Sequence, residues 1–247
     1  MLTALDNIHI VLVEITHPGN IGAAARAMKN MGLSKMVLVK PKIFPSAQAT
    51  ERAAGACDIL ANAKIYETFE ESVAECKLVI GTSARQRSLP LPNLTPTQCA
   101  ETALNFQDKT AIVFGRERSG LKNIELNQCH QLVQIPTNPD FSSLNIAAAV
   151  QVISYELYSY ALENQSNMTP TESSHLPVDT ESMQRFYTHL QQTLFDIDFL
   201  DPAKSNKLMQ RLHRLFNRAQ PNDIEMNILR GILTAAQRQA AQLKKEP

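Results

Sequence analysis

Six short apolar stretches punctuate the first 140 residues: IHIVLVEI (8–15), MVLVKP (36–41), AKIYET (63–68), KLVIGTS (77–83), TAIVFG (110–115) and HQLVQIPT (130–137). They are rich in branched residues and continuous rather than alternating, the pattern of strands covered on both faces. Helical spacing between them implies crossover connections and parallel pairing. The pattern therefore predicts an α/β domain built on a mostly parallel, six-stranded sheet.

Beyond residue 180 the period changes to that of helices. Met183, Phe186, Tyr187, Leu190 and Leu194 share one face of a first helix. Leu208, Met209, Leu212, Leu215 and Phe216 form one side of a second, with Lys204, Lys207, Arg211, Arg214 and Arg218 around the rest. Asn222-x-x-Glu225 predicts a capping box opening a third. Between the two patterns lies a polar stretch rich in Ser, Thr and Pro, ENQSNMTPTESSHLPVDTES (163–182), which reads as a linker. The expected organisation is an α/β domain over 1–164, a linker over 165–180, and a small all-α extension over 181–247.

Composition narrows the class. The chain has 247 residues, 44% of them hydrophobic, and lacks a run of about 18 uncharged apolar residues. Its N-terminus carries an acid and turns strand-like, unlike a signal peptide. A cytoplasmic protein without membrane contact is expected. Cys57, Cys76, Cys99 and Cys129 are scattered with no C-x-x-C pair, so neither a metal site nor a disulfide framework is expected. Overall charge is balanced, 24 basic against 24 acidic, but residues 201–220 hold five basic side chains and one acid. That excess is more than solubility needs, although a charge run by itself is usually a solvated face, so a polyanion contact stays one of two readings.

In parallel sheets ligands sit beyond the carboxyl ends of the strands. Three of the predicted strands run into unusual segments there: GTSARQRSLP, FGRERSGL and IPTNPDFSSLN. Gly81 and Gly115 taken singly could merely end strands; three such segments together suggest one site. In the last, Ser142 or Ser143 is expected near the N-cap of a long apolar helix. Neither G-x-G-x-x-G nor G-x-x-x-x-G-K-[ST] occurs. The stretch HPGNIGAAARAM (17–28) leaves open a nucleotide-dependent enzyme that uses residues 19–22 for phosphate.

Three ordered motifs change the weighting. Asn20-x-Gly22-x-x-x-Arg26, Phe114-Gly115-x-Glu117-x-x-Gly120-Leu121, and Ile135-Pro136 followed by Ser143-Leu144-Asn145 resemble the motifs of the SPOUT class of RNA methyltransferases, in its ribose 2′-O group. The likeness runs from VLVE near the start to FNRAQP and NILRGIL near the end, and is greatest to bacterial enzymes acting on the first nucleotide of the tRNA anticodon loop, position 32, at cytidine or uridine. The resemblance implies a C-terminal trefoil knot in the α/β domain, S-adenosyl-L-methionine as cofactor, tRNA as substrate, and a homodimer whose sites are completed across the interface. A catalytically silent RNA-binding dimer is the other alternative.

Carried onto this chain, the resemblance places the cofactor on Thr82, Ser83, Ala84, Gly115, Ile135, Ser142, Ser143 and Leu144, largely through backbone groups, with Ala84 and Gly115 small where the chain approaches the ligand. Asn20 and Asn145 support the motifs, Asn145 by bracing its loop. Arg26 matches the family's catalytic arginine. Because a guanidinium keeps its proton, its expected role is a clamp on a phosphate and on charge developing at the ribose oxygen rather than a base. Glu117 could orient Arg26 or accept a proton, and Ser143 could hydrogen-bond the ribose or bridge to the proton acceptor. Arg85, Arg87, Lys207, Arg211, Arg214 and Arg218 are the expected RNA contacts.

Overall fold

The structure, a computed structural model, describes residues 3–84, 91–106, 108–164, 176–201 and 205–243. These fall into two compact units, Met1–Thr171 and Glu172–Pro247.

The first unit alternates strands and helices in chain order: β1 (Ile8–Val13), α1 (Pro18–Asn30), β2 (Lys35–Val39), α2 (Ala47–Ala53), α3 (Cys57–Ala61), β3 (Lys64–Tyr66), α4 (Phe69–Val73), β4 (Leu78–Thr82), β5 (Asn93–Leu94), α5 (Pro96–Asn105), β6 (Thr110–Phe114), α6 (Asn123–Leu126), β7 (Gln131–Val133) and α7 (Ile146–Glu163). All pairings are parallel, in the order β3-β2-β1-β6-β4-β7-β5. The expected six strands are thus one too few. The seventh, β5, is two residues long and held where the amide of Leu132 donates to the Pro92 carbonyl and that of Gln134 to Leu94. Two residues next to prolines cannot produce a readable hydrophobic period.

Continuity of the apolar runs has its cause in the two faces. Ile8, Ile10 and Leu12 of β1 point with Met36, Leu38, Ile80 and Ile112 into a core shared with α1, α2, α5 and α7. Val11, Val13, Val37, Val39, Val79 and Val113 point the other way, against Phe69 and Val73 of α4 and Leu121 and Leu126. Helix α1 lies close on α2: a Cβ at Gly22 would stand 2.0 Å from the Ala49 carbonyl oxygen. The glycine of the first motif is therefore demanded by helix packing. His130, buried before β7, accepts the amide of Val79 through Nδ1 at 3.0 Å, and burial lowers its pKa to about 4, so it is a neutral structural histidine.

The second unit holds α8 (Thr180–Asp196), α9 (Ser205–Ala219) and α10 (Asp223–Leu243). Met183, Phe186, Tyr187, Leu190 and Met226 form its core. Tyr187 ties α8 to α9: its ring stacks on His213 at 3.7 Å and its hydroxyl donates to Asn217 Oδ1 at 2.6 Å. The capping box forms, with the Asn222 amide donating to Glu225 at 2.9 Å and the Glu225 amide to Asn222 Oδ1 at 3.0 Å. Val178, inside the stretch read as linker, is buried here, and its amide bonds the Pro221 carbonyl. Leu215, expected in the core, is 45% exposed. No helix among the described residues is long and apolar enough to cross a membrane.

Candidate active site

Strands β6, β4 and β7 are neighbours in the sheet, although β4 precedes β6 in the chain. Their carboxyl ends, and so the three unusual segments, open onto one cavity of about 310 Å³. Thr82, Ser83 and Ala84 contribute from β4, Gly115 and Glu117 from β6, and Ile135, Ser142, Ser143 and Leu144 from the segment after β7. All eight residues expected at the cofactor thus line a single space. Val133, Ile135, Leu144, Ile146 and Ala149 give it an apolar wall, while threonine and serine hydroxyls and backbone groups supply the polar partners. A flat heteroaromatic ring against that wall and a polar chain toward the hydroxyls suit this donor set, and the volume falls within the usual range for a small ligand. Gly115 is small for a reason other than ligand approach: a Cβ there would lie 2.2 Å from the carbonyl carbon of Gly120 in its own loop.

Glu117 links the three motifs. Its carboxylate accepts the Thr16 amide at 3.2 Å, the Thr16 hydroxyl at 2.9 Å, the His17 amide at 3.2 Å and Asn20 Nδ2 at 3.0 Å. Asn20 Oδ1 in turn accepts Asn145 Nδ2 at 3.0 Å. Asn145 Oδ1 accepts the Ala147 amide at 2.9 Å, which makes Asn145 the N-cap of α7. The cap expected at Ser142 or Ser143 is displaced because Pro139–Phe141 forms a short 3-10 turn and those serines follow it into the cavity wall. Burial opposes ionisation of Glu117, but hydrogen bonds from its own amide, Asn20, His17 and Thr16 outweigh it, and its pKa is lowered. The Thr16 and His17 amides, just ahead of α1, are thus given to an internal carboxylate, and the Asn20 side chain is turned to the same group.

A second clamp sits beside the first and has no counterpart in the sequence reading. Arg116, 11% exposed at the side chain, donates to Glu14 at 2.9 Å and to Glu125 at 2.8 and 3.0 Å, and also reaches the Gly120 carbonyl at 3.3 Å. Bonds from Arg116 hold the Glu14 carboxyl down to about 2. Glu14 adopts φ 49°, a left-handed conformation that a non-glycine residue keeps only when its surroundings hold it. Adjacent side chains of opposite charge, Arg116 and Glu117, therefore grip both sides of the β1–α1 turn. The charges were visible in FGRERSGL, but Glu14, the partner in the β1–α1 turn, lies 102 positions away.

Arg26 does not line this cavity. It is exposed on α1, along the stripe that carries Gly19 and Gly22, and no described residue hydrogen-bonds or pairs with it. Arg85 and Arg87 lie outside the described residues, as does Lys204. On α9, Lys207, Arg211, Arg214 and Arg218 recur at i, i+4, i+7 and i+11, one stripe of the helix, and all but the half-buried Arg214 are exposed. Among the described residues there is no cluster of three or more metal-ligating side chains. Of the cysteines, Cys57 is exposed and Cys76, Cys99 and Cys129 are buried.

The family model described as SpoU rRNA Methylase family matches residues 7–155, and that described as tRNA methyltransferase TrmJ, C-terminal domain, matches residues 181–245. The chain is 49% identical to the tRNA (cytidine/uridine/adenosine-2′-O-)-methyltransferase TrmJ of Pseudomonas aeruginosa, over 96% of each chain. It is 48% identical to the tRNA (cytidine/uridine-2′-O-)-methyltransferase TrmJ of Pectobacterium atrosepticum, over 95% of this chain and 98% of that one. The crystal structure of TrmJ from Z. mobilis ZM4 superposes with a TM-score of 0.82 at 32% identity, over 92% of this chain and 97% of that one.

Proposed function

Since the chain belongs to the SpoU methylase family and carries a TrmJ-type C-terminal domain, we propose that it transfers a methyl group from S-adenosyl-L-methionine to a ribose 2′-hydroxyl of tRNA, at the first nucleotide of the anticodon loop, position 32. Cytidine and uridine are the proposed targets, in line with the relatives' names. One observation carries the reading: the segments after β4, β6 and β7 meet at a single cavity, and the Glu117–Asn20–Asn145 chain of hydrogen bonds ties the start of α1 to two of them.

The bound cofactor supplies an electrophilic methyl on a sulfonium. The protein's own residues must orient the hydroxyl and favour its oxyanion. Ser143, exposed on the cavity wall, is suited to hydrogen-bond the ribose. Glu117, saturated by donors and held ionised, acts as a positioning residue that fixes the start of α1 against the cofactor loop. Arg26 clamps a flanking phosphate and the charge growing on the 2′-oxygen.

An Arg26 that is off its own chain's cavity and free of partners suits a site completed by a second copy. An exposed apolar stripe on α7, with Tyr155 at 55% and Leu162 at 47% exposure, offers a surface for that homodimer. The trefoil knot belongs to the same proposal: β7 inserts between β4 and β5, and α7 then returns to pack on α1 and α5. In the helical unit, the basic stripe of α9 is the proposed grip on tRNA phosphates, along with Arg85 and Arg87 in the first unit.

The test is incubation with radiolabelled S-adenosyl-L-methionine and unmodified tRNA, followed by mapping of the labelled ribose. Label at the 2′-oxygen of nucleotide 32 is expected. Arg26→Ala should abolish transfer while cofactor binding stays measurable by calorimetry; full activity in that variant would overturn the role given to Arg26.

A further inference from the structure

Phe141 is 81% exposed, the most exposed large hydrophobic side chain among the described residues. Exposed aliphatic residues are ordinary, but a phenylalanine ring left so fully in water invites a partner. Its position is specific. The chain leaves the cavity wall at Thr137, makes the Pro139–Phe141 turn, and rejoins the wall at Ser142, Ser143 and Leu144. Phe141 is therefore one residue from the serines that the proposed reaction places at the cofactor and ribose.

The turn is held rather than loose. Asn138 Oδ1 accepts the Asp140 amide at 3.0 Å, the Phe141 amide donates to the Asn138 carbonyl at 3.0 Å, and the Thr137 hydroxyl donates to the Ser142 carbonyl at 3.1 Å. A ring presented on a fixed turn at the rim of the site has lost little freedom still to be lost on binding. Leu144, itself 39% exposed and part of the cavity wall, extends the apolar rim toward the ligand.

We infer that Phe141 is a stacking platform for an unpaired nucleobase of the substrate, the base of the methylated nucleotide, whose ribose must reach the adjoining cavity. This rests on the function proposed above and deepens it by naming the recognition element. Single-stranded loops are recognised by splaying bases onto aromatic side chains. Stacking uses the face common to all bases and leaves the hydrogen-bonding edge unread. A platform of that kind accounts for relatives named for two or three different bases at one ribose chemistry.

The experiment compares Phe141→Leu, which keeps an apolar side chain but loses the ring, with Phe141→Tyr, which keeps the ring. Wild type is assayed first for methylation of tRNA; if it transfers nothing, the proposed function fails and not merely the platform. Given that activity, Phe141→Leu should lose about 5- to 150-fold in kcat/KM for tRNA, the range of one base–aromatic stack. Phe141→Tyr should recover most of that loss. Cofactor affinity by calorimetry, melting temperature and sedimentation mass should match wild type in both. As a direct readout, an anticodon stem-loop with pyrrolocytidine at the target nucleotide should be quenched by wild type and not by Phe141→Leu. The inference is overturned if Phe141→Leu keeps kcat/KM within about twofold of wild type, or quenches the fluorescent base as wild type does. It is equally overturned if its loss comes with weakened cofactor binding, or with dissociation to monomer, which would make Phe141 a contact between copies.

Discussion

Replacing Arg116 with methionine keeps much of the side-chain length and removes the cation from between two carboxylates. In wild type Arg116 bonds Glu14 and Glu125, whose side chains are 25% and 7% exposed. After substitution the nearest remaining cation is Lys122, 3.4 Å from Glu14. Removing one partner of a buried ion pair costs about 3–5 kcal/mol, because it leaves uncompensated charge behind. Partial exposure of Glu14 and the neighbouring Lys122 favour the lower end, about 3 kcal/mol. For a domain of this size that is a fall in Tm of about 6–12 °C. The pH dependence adds a second check. Arg116 holds the Glu14 carboxyl at about 2 against an ordinary 4.5, so its stabilisation is complete above pH 4.5 and lost as pH falls through 2. The variant never has it. Calorimetric scans should therefore show the largest gap between the two proteins near pH 7, shrinking below pH 4.5. A variant melting within about 2 °C of wild type at pH 7, or a gap unchanged at pH 3, would refute the structural weight given to this triad.

Glu117→Gln should lower kcat about 10- to 100-fold with cofactor affinity within about threefold, since the amide turns a donor toward the Thr16 amide and weakens the seat of α1; steady-state kinetics and calorimetry separate the two. Gly22→Ala should destabilise by about 1–3 kcal/mol or more in urea titration, as its Cβ meets the Ala49 carbonyl at 2.0 Å. Gly231→Ala, where nothing lies within 4 Å on α10, should instead stabilise by about 0.5–1 kcal/mol. Converting Lys207, Arg211, Arg214 and Arg218 together to glutamine should weaken tRNA binding and flatten the slope of log affinity against log salt by about one for each side chain that touches phosphate; an unchanged slope would remove α9 from the interface.

The sequence alone determined the parallel α/β character, because runs apolar at every position can be buried only between two layers, and Ile8, Ile10 and Leu12 do face one core while Val11 and Val13 face the other. It also determined the helices of the second unit, down to the capping box at Asn222 and Glu225, since caps and helical period are written within a few residues. The three strand-end segments were legible as chemistry for the same local reason. What only the tertiary structure decided depends on pairs far apart in the chain. Sheet order put β4 between β6 and β7 and so merged those segments into one cavity. Glu117 meets Asn20 across 97 positions, and Arg116 meets Glu14 across 102, contacts that leave no trace in any local period. The same distance hid the position of Arg26 outside the cavity, whereas β5 is too short to carry a period and the Pro139–Phe141 turn moved the cap of α7 to Asn145. Periodicity reports which side of an element is apolar; only the assembled sheet decides what that side, or the loop after it, comes to touch.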